Sequence, residues 1–288
     1  MDARAIPTWV TGRGTIPLDS PRILGILNLT PDSFFDGGLH AGVAAAVAHA
    51  ERLLAEGADV LDVGGESTRA GAAPVPAADE LARVLPVVRE LVRRFPDTPI
   101  SIDTVKSEVA AAALAEGAWI VNDVSGLRLD PRLAGVIADA RAGAVLMHSR
   151  GSVAEMASYA TALYGPDPVG EIAQELEGAL RRAHAAGIPK DAIVLDPGLG
   201  FAKRTEHSIA ALARLDRVLA LGRPVLLGPS RKRFVGEVAG GLPPAERLEG
   251  TIAACVAGLL AGARLFRVHD VAPARRALAV AEAVRRAS

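Results

Sequence analysis

Eight short apolar runs recur along the chain, each ending in glycine or polar residues: RILGILN (22–28), ADVLDVG (58–64), PISID (99–103), AWIVND (118–123), GAVLMH (143–148), AIVLD (192–196), PVLLG (224–228) and RLFRVHD (264–270). They are nearly continuous in apolar character rather than alternating. That is the pattern of parallel strands covered on both faces. Between them the apolar spacing changes to three and four. Leu81, Leu85, Val88 and Val92 form such a stripe within ADELARVLPVVRELVRRF (78–95). VAAAVAHAERLLAEGA (43–58), VKSEVAAAALAEGA (105–118) and DPVGEIAQELEGALRRAHAAG (167–187) read as helices in the same way. The pieces AEGAD (55–59) and AEGAW (115–119) repeat one junction, a glycine helix stop followed by a strand.

Eight strand-helix units spread evenly over 288 residues predict an α/β fold closed as a (β/α)8 TIM barrel, rather than an open sheet. The chain reads as a single domain over residues 1–288, with residues 1–20 as an N-terminal β-hairpin. The hairpin is predicted from WVTGRGTIPL, a Gly-Arg-Gly turn between β-formers, and it is placed to close the bottom of the barrel.

Composition narrows the function classes. The formal net charge of −1 argues against a general nucleic-acid binder, and the short basic cluster SRKRF does not change that balance. A single cysteine, Cys255, rules out an internal disulfide framework, fits a reducing compartment, and lies in the apolar context of a packed core thiol. No apolar run is long enough to span a membrane and the N-terminus has no secretory pattern, so the expectation is a cytoplasmic protein. Six histidines stand singly, without zinc-ligand spacing. Asparagine occurs only as Asn28 and Asn122, and both follow apolar runs.

In such barrels the chemistry lies at the carboxyl ends of the strands. Those ends carry Asn28 with Asp32 and Asp36; Glu66 with Thr68 and Arg69; Asp103; Asn122 with Asp123; Met147 with His148; Asp196; Ser230 with Arg231 and Lys232; and Arg267 with His269 and Asp270. Any one of these is explained equally well as a helix cap. The converging set is not. Asp103, Asn122 and Asp196 suit the amino-pyrimidinone edge of a flat heterocycle, since a carboxylate accepts two parallel N–H bonds. Asn28, Arg69, Arg267 and His269 come from units that become neighbours on closure, and they suit phosphate oxygens.

The ordered blocks ILGILNLTPDSFFDGG, DVGGESTRAGA, ISIDT, VNDVSG, LMHSR, LDPGLGFAK, LLGPSRKRFVG and RVHDV resemble the dihydropteroate synthase family over about residues 15 to 275. The resemblance implies condensation of hydroxymethyl-dihydropterin diphosphate with para-aminobenzoate, dependent on Mg²⁺. It implies that Asp103, Asn122, Asp196 and Lys232 hold the pterin, that Met147 and Phe201 line its pocket, and that Gly228 lets it approach the backbone. Asn28, Arg69, Arg267 and His269 would hold the diphosphate, with Asn28 near the metal. Phe34, Thr68, Ser230, Arg231 and the Lys232 stem would surround para-aminobenzoate. Asp36 would face the developing cation, with Arg69, Asp103 and Lys232 completing the catalytic set. TPDSFFDGG and ESTRAG would fold over the site.

The chain departs from the family pattern at Ala70, Ser149 and Ala202, where proline, asparagine and glycine are usual, and at Phe35, where a small serine is common. Two other readings compete: a pterin-binding barrel that transfers a methyl group to a corrinoid, and a catalytically silent relative that binds a pterin or a partner. The first has no diphosphate to hold, which leaves Arg69, SRK and RVHD unexplained. The apolar helices RLEGTIAACVAGLLAGA (247–263) and APARRALAVAEAVRRA (272–287) predict pairing of two copies into a homodimer.

Overall fold

The computed structural model describes residues 8–29, 39–68 and 72–287. An antiparallel hairpin of β1 (Thr8–Thr11) and β2 (Gly14–Pro17) precedes β3 (Arg22–Asn28). Then follow α1 (Leu39–Ala55), β4 (Val60–Gly64), α2 (Ala77–Arg94), β5 (Ile100–Asp103), α3 (Ser107–Ala115), β6 (Ile120–Asp123), α4 (Leu133–Asp139) and β7 (Gly143–Met147). The remainder is α5 (Pro168–Ala185), β8 (Ile193–Asp196), α6 (Thr205–Ala213), α7 (Asp216–Leu219), β9 (Leu226–Leu227), α8 (Arg233–Val238), α9 (Leu248–Leu260), β10 (Leu265–Val268) and α10 (Val271–Ala287).

Strands β3 to β10 form one parallel sheet in the order β8-β7-β6-β5-β4-β3-β10-β9. A bridge between Leu195 and Val225 joins its two ends, with the Leu195 N–H donating to Pro224 O at 2.9 Å. All eight apolar runs are therefore strands of one closed barrel. The strand β9 is shorter than its run because Pro224 has no N–H to give to a ladder.

The hairpin does close the bottom. Trp9, Ile16 and Leu18 pack with Leu24, Val60, Ile120, Val145, Val194, Leu226 and Leu265 from seven barrel strands. Trp9 is fully buried and its indole N–H donates to Ala192 O at 2.8 Å. Burying an aromatic of this size here stabilises by roughly 1.5–3 kcal/mol. The repeated junction also behaves as read. Gly57 and Gly117 take φ of +101° and +115°, and the following Ala58 and Ala118 N–H groups turn back to Leu53 O and Ala113 O. A left-handed φ of that size is open to glycine and strained for other residues. Cys255 is a core residue, as expected, and burial pushes its thiol up to about 12.

Candidate active site at the carboxyl ends of the strands

Register places the polar residues in rows. Asn28 pairs with Gly64, Gly64 with Asp103, and Asp103 with Asn122. Asn122 pairs with Val145, and two residues further along, Met147 pairs with Asp196. Gly64 leaves a gap in the row: a Cβ there would lie 3.4 Å from Asp103 Cβ and 3.8 Å from Asn28 Oδ1. Gly228 leaves another, since its Cβ would stand 3.9 Å from both Arg267 Cβ and Asp196 Oδ2. A planar ring can thus reach main chain beside a carboxylate.

The anion half and the heterocycle half are joined rather than separate. Arg267 pairs with Leu24, deep on the strand, and rises into the lumen. Its Nε donates to Asp62 Oδ2 at 2.6 Å and its Nη2 to Asp103 Oδ2 at 2.7 Å. Asn122 Nδ2 donates to the same Asp62 oxygen at 3.3 Å. Asp62 is fully buried, and its Oδ1 has no partner among the described residues. This carboxylate is absent from the sequence-based set. Its signal was there, a charge inside the otherwise apolar run ADVLDVG, but it precedes the strand end by two residues.

The potentials follow from burial and these neighbours. Burial raises Asp103 to about 7, with Arg267 opposing and Asp62 and Glu80 reinforcing. Burial raises Asp196 to about 6, while the Gly198 N–H bond to Oδ1 at 2.7 Å and then Lys232 and Lys203 act downward. Lys232 is brought down to about 7 by burial and by Arg267. Its Nζ sits 3.4 Å above the centre of the Phe201 ring, a cation–π contact. Phe201 and Met147 belong with Val105, Val124 and Met156 to a small apolar cluster at the mouth, a wall for the face of a ring.

Ser230 and His269 form a pair. The His269 main-chain N–H donates to Ser230 Oγ at 3.1 Å, and Ser230 Oγ lies 2.9 Å from His269 Nδ1. Ser230 Oγ thus ties the His269 main chain to its own ring and fixes the ring's orientation. Burial and Arg267 hold this imidazole down at about 3, so it is neutral at pH 7. Arg231 turns at φ +56° between Ser230 and Lys232, braced by its N–H to Thr251 Oγ1 at 3.0 Å. Its guanidinium is held bidentately by Asp270 at 3.0 and 2.6 Å.

Of the two covering segments, Phe34, Asp36 and Arg69 lie outside the described residues, as do Phe35 and Ala70. Thr68 is half-buried. The stem of the second segment is anchored. Glu66 accepts the Val75 N–H at 2.7 Å and pairs with Lys106 at 2.8 Å, and Lys106 also meets the fully buried Glu80 at 2.5 Å. Sequence reading assigned no role to Lys106 or Glu80. The departures also have places. Ser149 is buried and donates to Val124 O at 2.6 Å. Ala202 takes φ +46°, which costs roughly 1–2 kcal/mol for a residue with a Cβ.

Comparison with known proteins gives the family. A family model described as pterin binding enzyme matches residues 24–269. The dihydropteroate synthase of Neisseria meningitidis serogroup B is 44% identical over 281 residues, covering 96% of this chain and 97% of that protein. The folic acid synthesis protein fol1 of Pneumocystis carinii is 44% identical over 253 residues, and the chain spans 34% of its length. Among solved structures, Xanthomonas albilineans dihydropteroate synthase with 4-aminobenzoic acid superposes with a TM-score of 0.89 at 46% identity, covering 98% of this chain and 99% of that one. A chain whose lumen joins two carboxylates, an amide and an arginine, and which these relatives match over most of its length, belongs to the dihydropteroate synthase family of pterin-binding enzymes.

Proposed function

We propose that the mouth of this barrel joins a dihydropterin methyl diphosphate to para-aminobenzoate by a substitution in which bond breaking leads. The observation that carries it is the single row Asn28, Gly64, Asp103 and Asn122, with Asp196 and Lys232 beside it. Asp103, Asn122 and Asp196 would take the N–H and carbonyl groups of the pterin. Met147 and Phe201 would cover its faces. The methylene carbon–oxygen bond breaks with its electron pair on diphosphate, and the cation left behind is spread over the conjugated ring. The amine nitrogen then forms the new carbon–nitrogen bond and gives its proton to water. Each well-placed donor to the leaving group is worth roughly 2.7–4 kcal/mol. Neutral His269, oriented by Ser230, supports that role, together with Arg69 and Asn28. Phe34, Thr68, Arg231 and the Lys232 stem would border para-aminobenzoate, and Asp36 the cation.

Mg²⁺ fits the donors as an ion that comes with the diphosphate. Among the described residues no three His, Cys, Asp or Glu side chains group as ligands, and Asn28 offers one amide oxygen. Magnesium is often held by one or two protein oxygens, with phosphates and water completing the shell. When bound, it would neutralise charge on the departing oxygens.

Diphosphate release measured with and without para-aminobenzoate tests the reading. With para-aminobenzoate present, release should match dihydropteroate mole for mole. With ring-substituted aminobenzoates of different amine basicity, the maximal rate should stay nearly constant, because the nucleophile enters after the slow bond cleavage. A rate rising steeply with basicity overturns the order of events, and no release at all overturns the activity.

Two copies are proposed to pair through the last helices, where Leu260 and Val280 are 54% and 67% exposed. Sedimentation of the protein as a monomer at micromolar concentration would refute this. No helix among the described residues is long and apolar enough to cross a membrane. With its one thiol buried, the chain is proposed to work in the cytoplasm.

A further inference from the structure

One lysine of the LDPGLGFAK block lies inside the protein and has no part in the chemistry above. Lys203 is 1% exposed. Its Nζ lies 2.7 Å from His148 Nδ1 and donates to Phe201 O at 3.0 Å. His148 follows β7, and Phe201 stands in the turn after β8. The ammonium therefore stitches two neighbouring strand ends at the level where Met147 pairs with Asp196. The same two segments meet through the His148 N–H, which donates to Asp196 O at 2.9 Å. They meet so closely that a Cβ on Gly198 would lie 2.0 Å from His148 O.

We propose that Lys203 is a positioning residue for the pterin site, holding the turn that carries Asp196 and Phe201 against the end of β7. This rests on the reading of the mouth as a pterin site.

In its ammonium form Lys203 can only donate to these contacts. An ammonium has three N–H groups and no acceptor, so His148 Nδ1 must accept and carry its own proton on Nε2. Burial and the charge of Lys203 hold His148 at about 4, which keeps it neutral and able to accept. Its Nε2 lies 3.1 Å from Glu175 Oε2, an ion-pair distance without an aligned N–H bond. Glu175 is held in turn by Arg150 at 2.5 Å. Burial lowers Lys203 itself to about 7, with Asp196 and Glu175 supporting its charge and Arg150 and Lys232 opposing it. Phe201, whose carbonyl Lys203 holds, is also the ring under Lys232 Nζ. One buried cation thus fixes the seat of a second.

Asp196 feels Lys203 from its own loop, Lys232 from the loop after β9 and Arg267 from β10. Removing one of three cations should make Asp196 harder to ionise and move its titration upward. Only the ionised form accepts two N–H bonds, so pterin binding should then fail at a higher pH.

The test uses the full chain with a pterin lacking the diphosphate, titrated calorimetrically across pH. For Lys203→Met, affinity should fall at about pH 8, and the Asp196 component of the acid limb, expected near 6 in the parent, should move up by about one unit, a tenfold further loss on its acid side. Lys203→Gln keeps a donor for Phe201 O but not the charge, so it should move the limb with a smaller loss at alkaline pH. A purely structural lysine would lower affinity equally at all pH values. A folded variant with an unmoved limb therefore overturns the proposal, and so does failure of both variants to fold. If the parent binds no pterin, the functional reading fails instead.

Discussion

Arg267→Ala should lower the unfolding free energy by about 3–5 kcal/mol, because it leaves two interior carboxylates facing each other without their shared cation. Asp62 is fully buried, and Asp103 and Arg267 keep side-chain exposures of only 11% and 20%. The loss should depend on pH with a definite sign. Asp103 already stands at about 7, above its ordinary value, so the folded state binds its proton more readily than the unfolded chain. A carboxyl raised in this way lowers stability as pH rises through that range and relieves it as pH falls. Without the guanidinium the rise is larger. The deficit of the variant should therefore be greatest above about pH 7 and should shrink on acidification. Urea unfolding at several pH values measures it. Adding Asp62→Asn to Arg267→Ala removes one unpaired charge and should recover part of the loss. A deficit below about 1 kcal/mol that is flat with pH would mean that the cluster is not coupled as its distances imply.

Asp196→Asn should weaken pterin binding by roughly 1.5–3 kcal/mol, the range for hydrogen bonds to a charged group. That is about a 10- to 150-fold rise in Kd. The substitution is close to shape-neutral, because the asparagine oxygen can still accept the Gly198 N–H that now bonds to Oδ1 at 2.7 Å. What changes is the other oxygen, which becomes a donor facing donors. The parent should lose affinity as pH falls through about 6, where burial places this carboxyl. In the variant that component should vanish, while a component near 7 from Asp103 remains. Calorimetric titration at both ends of this range decides the matter. Unchanged affinity would remove Asp196 from the pterin site.

The strands, their order and the polarity of their ends were legible along the chain, because each property is local. A buried parallel strand needs a run of apolar residues. A helix stop with positive φ needs glycine, as at Gly57 and Gly117. A polar residue just past a strand end can point only to the mouth or to a cap. Asn28, Asp103, Asn122, Met147 and Asp196 all stand at such ends in the barrel. Asp62, Lys106 and Lys203 were not given roles. Nothing beside them in the sequence shows where their charges are compensated. Asp62 meets Arg267 across 205 residues, Lys106 meets Glu66 across 40, and Lys203 meets His148 across 55.

The sequence by itself determined the barrel, the end of it that carries the chemistry, and the family of that chemistry. Only the tertiary structure decided that Arg267 serves two carboxylates inside the lumen, that Ser230 orients His269, and that a buried lysine underlies the pterin wall. The reason is physical. A strand's apolar pattern follows from its own burial, but a charge can be buried only if a partner reaches it. Which partner does so is set by closure of the sheet and by register, and no single segment contains either.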